Sequence, residues 1–429
     1  MPFDPLVPPP APQRIAVVGG GVAGLGAAYL LSREHDVTLF EAEPRLGGHA
    51  RTRIAGRNRQ VAVDTGFIVF NYRNYPLLSG LFKELDVPVK KSDMAFAASF
   101  DRGRVEYGLH ALSALFAQKS MLTRADYWRM LRDIPRFNRG AKALGDTGKM
   151  TLGELMEQLG VGSWFRDYFM VPLAGAVWSA SADQILRFPA KTFIRFFDNH
   201  GLLTLHDQPQ WFTVDGGSQV YVEKVAAAIR LNGGEIRCSA PVEAINRTGA
   251  ITITTKNQEP EPFDAIVLAC HSDQALGLLC DADESEQEVL GAIKYAPNRV
   301  YLHDDPAPMP LRRKCWASWN YKGNIGLQSS NITVTYWMNR LQGLPADTPL
   351  FVTLNPDEPI RDEHVFDEAV LSHPVFDQQA IDAQEKLPAI QGVRNTWFCG
   401  AYARYGFHED GLMSAAAVAR EFGSSPQWA

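Results

Sequence analysis

The sequence predicts an α/β protein built on a Rossmann-type, dinucleotide-binding parallel sheet. Three observations predict it. The apolar run Arg14-Ile15-Ala16-Val17-Val18 leads straight into the glycine-rich turn Gly19-Gly20-Gly21-Val22-Ala23-Gly24, and residues 25–31 then read as a helix. A second apolar run, Val37-Thr38-Leu39-Phe40, ends at an acid, Glu41. Short continuous apolar runs of this kind fit strands buried on both faces, as a parallel sheet requires.

Each element has a physical task. Gly19 permits the tight turn, Gly21 lets the backbone approach a pyrophosphate, and Gly24 allows close helix–strand packing, with Ala23 completing the turn. The helix N-terminus offers unpaired N–H groups and the positive end of its dipole to phosphate. Glu41 lies about 20 residues into the unit, where an acid accepts hydrogen bonds from ribose hydroxyls. A carboxylate there disfavours a 2′-phosphate, which leaves FAD or NAD and argues against NADP.

Composition bounds the rest. A chain of 429 residues with 46% hydrophobic and 21% charged residues is too apolar for disorder and long enough for two or three domains. The five cysteines are scattered and contain no C-x-x-C pair, which argues against a disulfide framework or a zinc site. A net charge of −6 argues against a nucleic-acid binder. The proline-rich start has no basic and apolar leader pattern, and no stretch of the chain reads as a membrane span, so a cytoplasmic protein is expected.

Beyond Glu41 a second glycine doublet follows in Arg45-Leu46-Gly47-Gly48-His49, and Asp64-Thr65-Gly66-Phe67 comes shortly after. This arrangement resembles the glutathione-reductase-type flavoproteins of the amine oxidase and phytoene desaturase superfamily. The resemblance implies FAD, with the doublet loop over the diphosphate and Thr65, Gly66 and Phe67 beside the isoalloxazine ring. His49 stands where the superfamily usually carries arginine. Further matches lie downstream: a strand around Val242 on the adenine side, and Phe398-Cys399-Gly400 leading to a helix that opens at Asp410-Gly411-Leu412. That helix N-terminus would face the flavin pyrimidine edge and stabilise negative charge there.

Within the superfamily, Phe67-Ile68-Val69-Phe70-Asn71-Tyr72, Trp316-Ala317-Ser318-Trp319-Asn320-Tyr321 and Tyr405-Gly406-Phe407-His408 resemble one bacterial group. These flavoproteins are encoded beside cyclopropane-fatty-acid-synthase-like methyltransferases and act in making furan and methylated fatty acids. They are similar to the N-terminal flavoprotein domain of plant cyclopropane fatty acid synthases. The similarity runs from about residue 13 to residue 422. It implies an FAD-dependent oxidoreductase that desaturates a phospholipid acyl chain, or relocates hydrogen in it, beside an S-adenosylmethionine-dependent methyltransferase. Two rivals stand: a flavin amine oxidase, and an accessory flavoprotein without turnover. Amine oxidases usually hold a lysine near the flavin on a substrate-domain strand, and the nearest equivalent, Asn298-Arg299-Val300-Tyr301, has none.

The resemblance places an interleaved organisation: an FAD-binding domain from residues 1–75, 215–285 and 390–429, and an α+β, amine-oxidase-like substrate domain from 76–214 and 286–389. His408 falls just before the flavin helix and is the candidate proton acceptor. Tyr321 and Tyr336 line a substrate tunnel or sit in sheet pairs. Tyr321 and His200 are further catalytic candidates; His200 belongs to a polar cluster, Asp198-Asn199-His200, that reads foremost as a helix C-terminal loop, and Glu409 and Asp410 read as caps. Residues 119–142 carry seven basic residues against two acids, with Arg129, Arg132, Arg136 and Arg139 at helical spacing. Such a segment lies on anionic headgroups at the inner face of a membrane, forms a solvated face, or docks an acidic partner. Pro135 inside it predicts two helices or a kinked one.

Overall fold

The computed structural model describes residues 11–144, 147–178, 180–203, 208–324 and 333–428. The proline-rich start and Ile332, the first residue of one predicted strand, lie outside the described residues.

Five parallel strands form the central sheet, in the order Thr396–Phe398, Ala265–Leu268, Arg14–Val18, Asp36–Phe40 and Glu235–Arg237. They come from three separated stretches of chain. Alternation along the strands divides two cores, because successive side chains point to opposite faces. Ile15, Val17, Val37 and Leu39 pack with helices Val22–Leu31, Gln219–Leu231 and His408–Glu421. Ala16, Val18, Phe40, Ile266 and Leu268 face an antiparallel sheet of Val242–Asn246, Ile251–Thr255 and Glu261–Phe263.

A second, seven-stranded mixed sheet carries the long strands Val365–Val375 and Lys294–His303 at one edge and Val105–Gly108 at the other. The predicted strands around residues 300–302, 333–337 and 351–354 all belong to it. Helices between residues 125 and 199 pack on it through an aromatic core containing Phe137, Phe165, Phe193, Phe196 and Phe197. Among the described residues, no helix is long and apolar enough to cross a membrane.

Of the two forms expected for the basic segment, two separate helices are not what forms. A short 3₁₀ turn, Lys119–Thr123, precedes one continuous helix, Ala125–Ala143, that carries Pro135 internally. Tertiary packing overrides the local cost: Tyr127, Met130, Ile134, Phe137 and Ala141 bury a full apolar stripe. The His200 reading holds in outline. Helix Ala190–Asn199 ends with His200 as its C-cap, and Gly201 follows at φ +68°.

Two polar knots tie the layers. Asp64, fully buried, accepts hydrogen bonds from Thr52 Oγ1 (2.6 Å), Ser218 N (2.8 Å), Ser218 Oγ (2.7 Å) and Gln342 Nε2 (2.8 Å). Arg247, also fully buried, pairs with Glu286 (2.6 Å) and Asp281 (2.9 Å), and Arg394 reaches Glu286 as well (2.7 Å). Arg247→Met leaves the buried Glu286 with Arg394 and the Asp283 N–H, and denaturant unfolding should show a loss of about 3 kcal/mol. An unchanged midpoint would mean that these two partners satisfy the carboxylate.

Candidate active site

The site forms where the parallel strands end, at the carboxyl edge of the sheet that α/β folds use for ligands. Gly19, at φ +107°, lies so close to the next strand that a Cβ would sit 2.9 Å from Ala269 O. A Cβ on Gly24 would lie 1.7 Å from Gly19 O, so no other residue fits there. At Gly21, by contrast, a Cβ would meet nothing within 4 Å. Helix Val22–Leu31 starts at this opening with Gly21 as N-cap, without a side-chain cap or an acid in its first turn. Its N–H groups are left for an anion.

The doublet loop closes over the turn. Gly47 N–H donates to Gly20 O (2.8 Å), and Arg45 donates to Gly48 O (3.0 Å) and Ala50 O (3.3 Å). His49 O is held by Phe67 N (2.8 Å), where a Cβ on Gly66 would come within 2.0 Å. Thr65 Oγ1 is bound between Arg51 O (3.2 Å) and the Arg51 guanidinium (3.1 Å). Glu41 accepts from Gly20 N (2.6 Å) and Glu43 N (2.8 Å), and its carbonyl receives Ala240 N (2.9 Å), which brings the strand of Val242 alongside. Gly400 N–H donates to Ser414 Oγ (2.9 Å). A Cβ on Gly411 would meet Val22 Cγ1 at 2.9 Å, and one on Gly26 would meet Leu412 Cδ1 at 2.5 Å, so the N-terminal halves of two helices abut. Open space at Gly21, an uncapped helix N-terminus and a carboxylate at the second strand's end fit the diphosphate and ribose of FAD.

Four histidines converge beyond this cradle. The His49 ring lies 5.5 Å from His373 and 5.9 Å from His271, centroid to centroid. His408 stacks on Phe67 at 3.8 Å, and its Nε2 lies 3.1 Å from Tyr221 Oη. Burial lowers His49 and His408 to about 3 and His373 to about 4, and it lowers His271 as well. The imidazole of His408, the candidate proton acceptor, is therefore neutral across the physiological range. Among the described residues, no group of three or more His, Cys, Asp or Glu side chains is placed to hold a metal ion.

Hydrogen bonding sets two tautomers. Asn298 Oδ1 accepts from Asn355 Nδ2 (2.7 Å), so Asn298 Nδ2 donates to His373 Nδ1 (3.2 Å) and leaves the His373 proton on Nε2. His49 Nε2 donates to Ser372 O (3.2 Å), which leaves Nδ1 bare. Sequence reasoning missed His271, His373 and Asn298 as site residues. His271 was findable, because it follows the carboxyl end of strand Ala265–Leu268. His373 carries no local signal, since it lies inside an ordinary strand.

The acids divide their labour. Asp410 reaches back to Phe407 N (3.0 Å) and caps its own helix. Glu409 instead caps helix Pro76–Glu84, accepting from Leu77 N and Leu78 N (both 2.9 Å). Burial raises Asp410 and Asp64 to about 6 and Glu409 to about 7.

His200 is not brought into the histidine group. It stacks on Phe196 (3.9 Å), lies 5.6 Å from Phe407, donates Nδ1–H to Phe196 O (2.9 Å), and is lowered to about 4 by burial. Tyr321 meets Phe100 at 5.4 Å, and burial pushes its phenol up to about 12. A cavity of about 210 Å³ opens beside His373, lined by Trp178, Phe188, Pro374 and Phe376 together with the polar Asp183, Gln184, Arg187 and Asp377.

Residues 22–300 match the family described as flavin containing amine oxidoreductase, and the chain belongs to it. Its cofactor is FAD. AofH of Mycobacterium tuberculosis, which bears the name of a flavin-containing monoamine oxidase, is 26% identical over 273 residues. That alignment covers 60% of this chain and 57% of AofH, so the chain matches little more than half the length of this relative. Among solved structures, a conjugated-linoleic-acid-producing fatty acid isomerase from P. acnes superposes with a TM-score of 0.68 at 16% identity, over 95% of this chain and 98% of that one. Cyclohexylamine oxidase from Brevibacterium oxydans superposes with a TM-score of 0.68 at 14% identity, over 96% and 100%. These likenesses show the fold.

The glycine contacts and the buried titratable groups each lead to a measurable outcome. Gly24→Ala should abolish folding of the nucleotide unit, whereas Gly21→Ala should fold yet lose flavin, read as a normal circular dichroism spectrum with reduced absorbance near the flavin band. A folded Gly24→Ala protein would contradict the packing argument. In the unfolded chain histidines take protons near pH 6.5, but His49, His200, His303, His373 and His408 stay neutral down to about pH 3–4 in the fold. Their stabilising contribution is present above pH 6.5 and is lost as pH falls toward 4. Asp64, Glu409 and Asp410 act oppositely, since their raised values favour the fold at low pH and the gain is lost as pH rises through 6–7. Five imidazoles outweigh three carboxylates, so the thermal midpoint should fall as pH drops from 6.5 to 4.5, each imidazole contributing up to about 1.4 kcal/mol per pH unit. His373→Asn should shallow that slope and Glu409→Gln should steepen it.

Proposed function

We propose that this protein is an FAD-dependent oxidoreductase that desaturates an apolar phospholipid acyl chain, or relocates hydrogen within it, beside an S-adenosylmethionine-dependent methyltransferase. The observation that carries this reading is the wall of the cavity at His373. Trp178, Phe188, Pro374 and Phe376 are apolar, and the two acids beside them are engaged. Asp183 pairs with Arg187, and Asp377 Oδ1 accepts from Ala380 N (2.9 Å) to cap its helix. Gln184 and Arg187 line the cavity as well and Asp377 keeps its charge at the helix cap, so the case for a hydrocarbon rests on the apolar surface of Trp178, Phe188, Pro374 and Phe376. The neighbour named as a fatty acid isomerase supports acyl chemistry on such a fold, and the lysine of the Asn298 strand, Lys294, is exposed and donates to Gly291 O (2.6 Å), which counts against amine oxidation.

Bound FAD supplies a two-electron acceptor. The chain's own residues do the rest. The N-terminus of helix His408–Glu421, its first-turn acids committed to caps, would offer its positive dipole end to the flavin. Neutral imidazoles with depressed basicity relay a proton rather than store one, which suits a reaction that removes hydrogen at one carbon and returns it at another. Asn298 keeps the His373 proton on Nε2, and the Tyr221 hydroxyl adjoins His408 Nε2.

Anaerobic visible spectroscopy tests the reading. The holoprotein is mixed with liposomes of unsaturated or methylated acyl chains, and separately with a panel of amines, and the lipids are then extracted for double-bond analysis. Flavin bleaching by lipid, or a shifted double bond without bleaching, is the expected outcome. His373→Leu should slow it at least about tenfold without altering the flavin spectrum, the scale of a lost proton-transfer partner. Bleaching by an amine alone would overturn the proposal. No change with either substrate, even with the methyltransferase present, would replace it with an accessory role.

A further inference from the structure

We propose that helix Ala125–Ala143 and the turns preceding it form a docking face for an anionic lipid bilayer. The helix is sharply two-sided. Its buried stripe includes Asp133, which is fully enclosed and accepts Gly162 N–H (2.8 Å), so this acid contributes nothing to the outer face. Arg132, Arg136 and Arg139 lie on the opposite side, exposed, and among the described residues no carboxylate pairs with them. Arg129 joins them, and Asp126 is the one exposed acid on the helix. Lys142 is engaged with Asp198, so its charge is already matched. Burying the acid inward converts a mixed sequence into a cationic stripe on a protein whose net charge is −6.

Apolar side chains cluster at one end of that stripe. Four of the ten large apolar side chains exposed among the described residues fall between residues 109 and 128. Leu112 is 76% exposed, while Leu122 and Trp128 are each 48% exposed. They form one surface: Trp128 Nε1 donates to Leu122 O (2.9 Å), and its ring packs 5.3 Å from Phe116, which caps the short helix of Leu112. Trp128 is four residues from Arg132, so indole and guanidinium share the same helix face. A tryptophan and leucines flanked by arginines fit the headgroup–acyl boundary, the indole in the interface and the arginines on phosphate. An acidic protein would use the arginines but leave Leu112 and Leu122 without a reason to be exposed. A bilayer uses both, and charge complementarity selects an anionic one.

The interaction is independent of turnover, so it is read without substrate chemistry. The yellow holoprotein is sedimented with phosphatidylglycerol vesicles and, separately, with phosphatidylcholine vesicles, at low and high salt. Binding to phosphatidylglycerol alone, weakened by salt, is expected. Each removed cation near an anionic surface weakens partition about fivefold, so R132E/R136E/R139E should weaken it more than about a hundredfold. W128A and L112S should weaken the binding that survives high salt. The flavin spectrum of each variant, unchanged, shows that the fold is kept. No sedimentation with either vesicle, or sedimentation indifferent to the arginine reversals, overturns the docking face; association with an acidic protein but not with vesicles does so too. Failure here leaves the acyl-chain reading to the bleaching experiment, and failure there leaves this face standing.

Discussion

Everything at the site depends on backbone approaching backbone at the ends of parallel strands. Gly24 lies so close to Gly19 O, and Gly66 to His49 O, that a single methyl group would not fit at either place. Strand, turn and helix pack there without intervening side chains. That contact aims the N-terminus of helix Val22–Leu31 at open space, and it pins the doublet loop through the Gly47–Gly20 hydrogen bond. Because the loop is pinned, the residue after the doublet is pinned as well, and that residue is His49.

From His49 the architecture builds outward. Its ring meets His271, which follows a strand of the parallel sheet, and His373, which lies on a strand of the other sheet. The group therefore sits where the two sheets meet, and neither layer makes it alone. Asp64 locks the same seam by joining its hairpin to Ser218, at the start of a helix on the parallel sheet, and to Gln342, beside the mixed sheet. Burial of so many titratable groups costs stability, and the fold keeps them neutral or hydrogen-bonded instead of charged. The result at the seam is a group of neutral imidazoles next to a cavity with aromatic residues in its wall.

Much of the nucleotide half is legible in the sequence. Gly19, Gly24 and Glu41 are local signals: a turn that only glycine tolerates, and an acid at a strand's end. The doublet Gly47-Gly48 and the segment Thr65-Gly66-Phe67 are legible through the family resemblance. Other parts are not. Pro135 argues for two helices or a kinked one, and packing on the far side keeps the segment one helix. Glu409 and Asp410 look equivalent as neighbours, yet one caps its own helix and the other a helix more than 300 residues earlier. His408 opens helix His408–Glu421, and its low basicity has no local signal, because basicity is set by enclosure.

The class of fold, the cofactor's cradle and the cationic repeat of residues 119–142 were all determined by sequence, since each depends on residues adjacent along the chain or at fixed helical spacing. Tertiary structure alone decided which histidines meet, which acid of the basic segment turns inward, and which groups stay neutral. Those outcomes depend on long-range contact and on removal from water, and neither has a signature in any short stretch of chain.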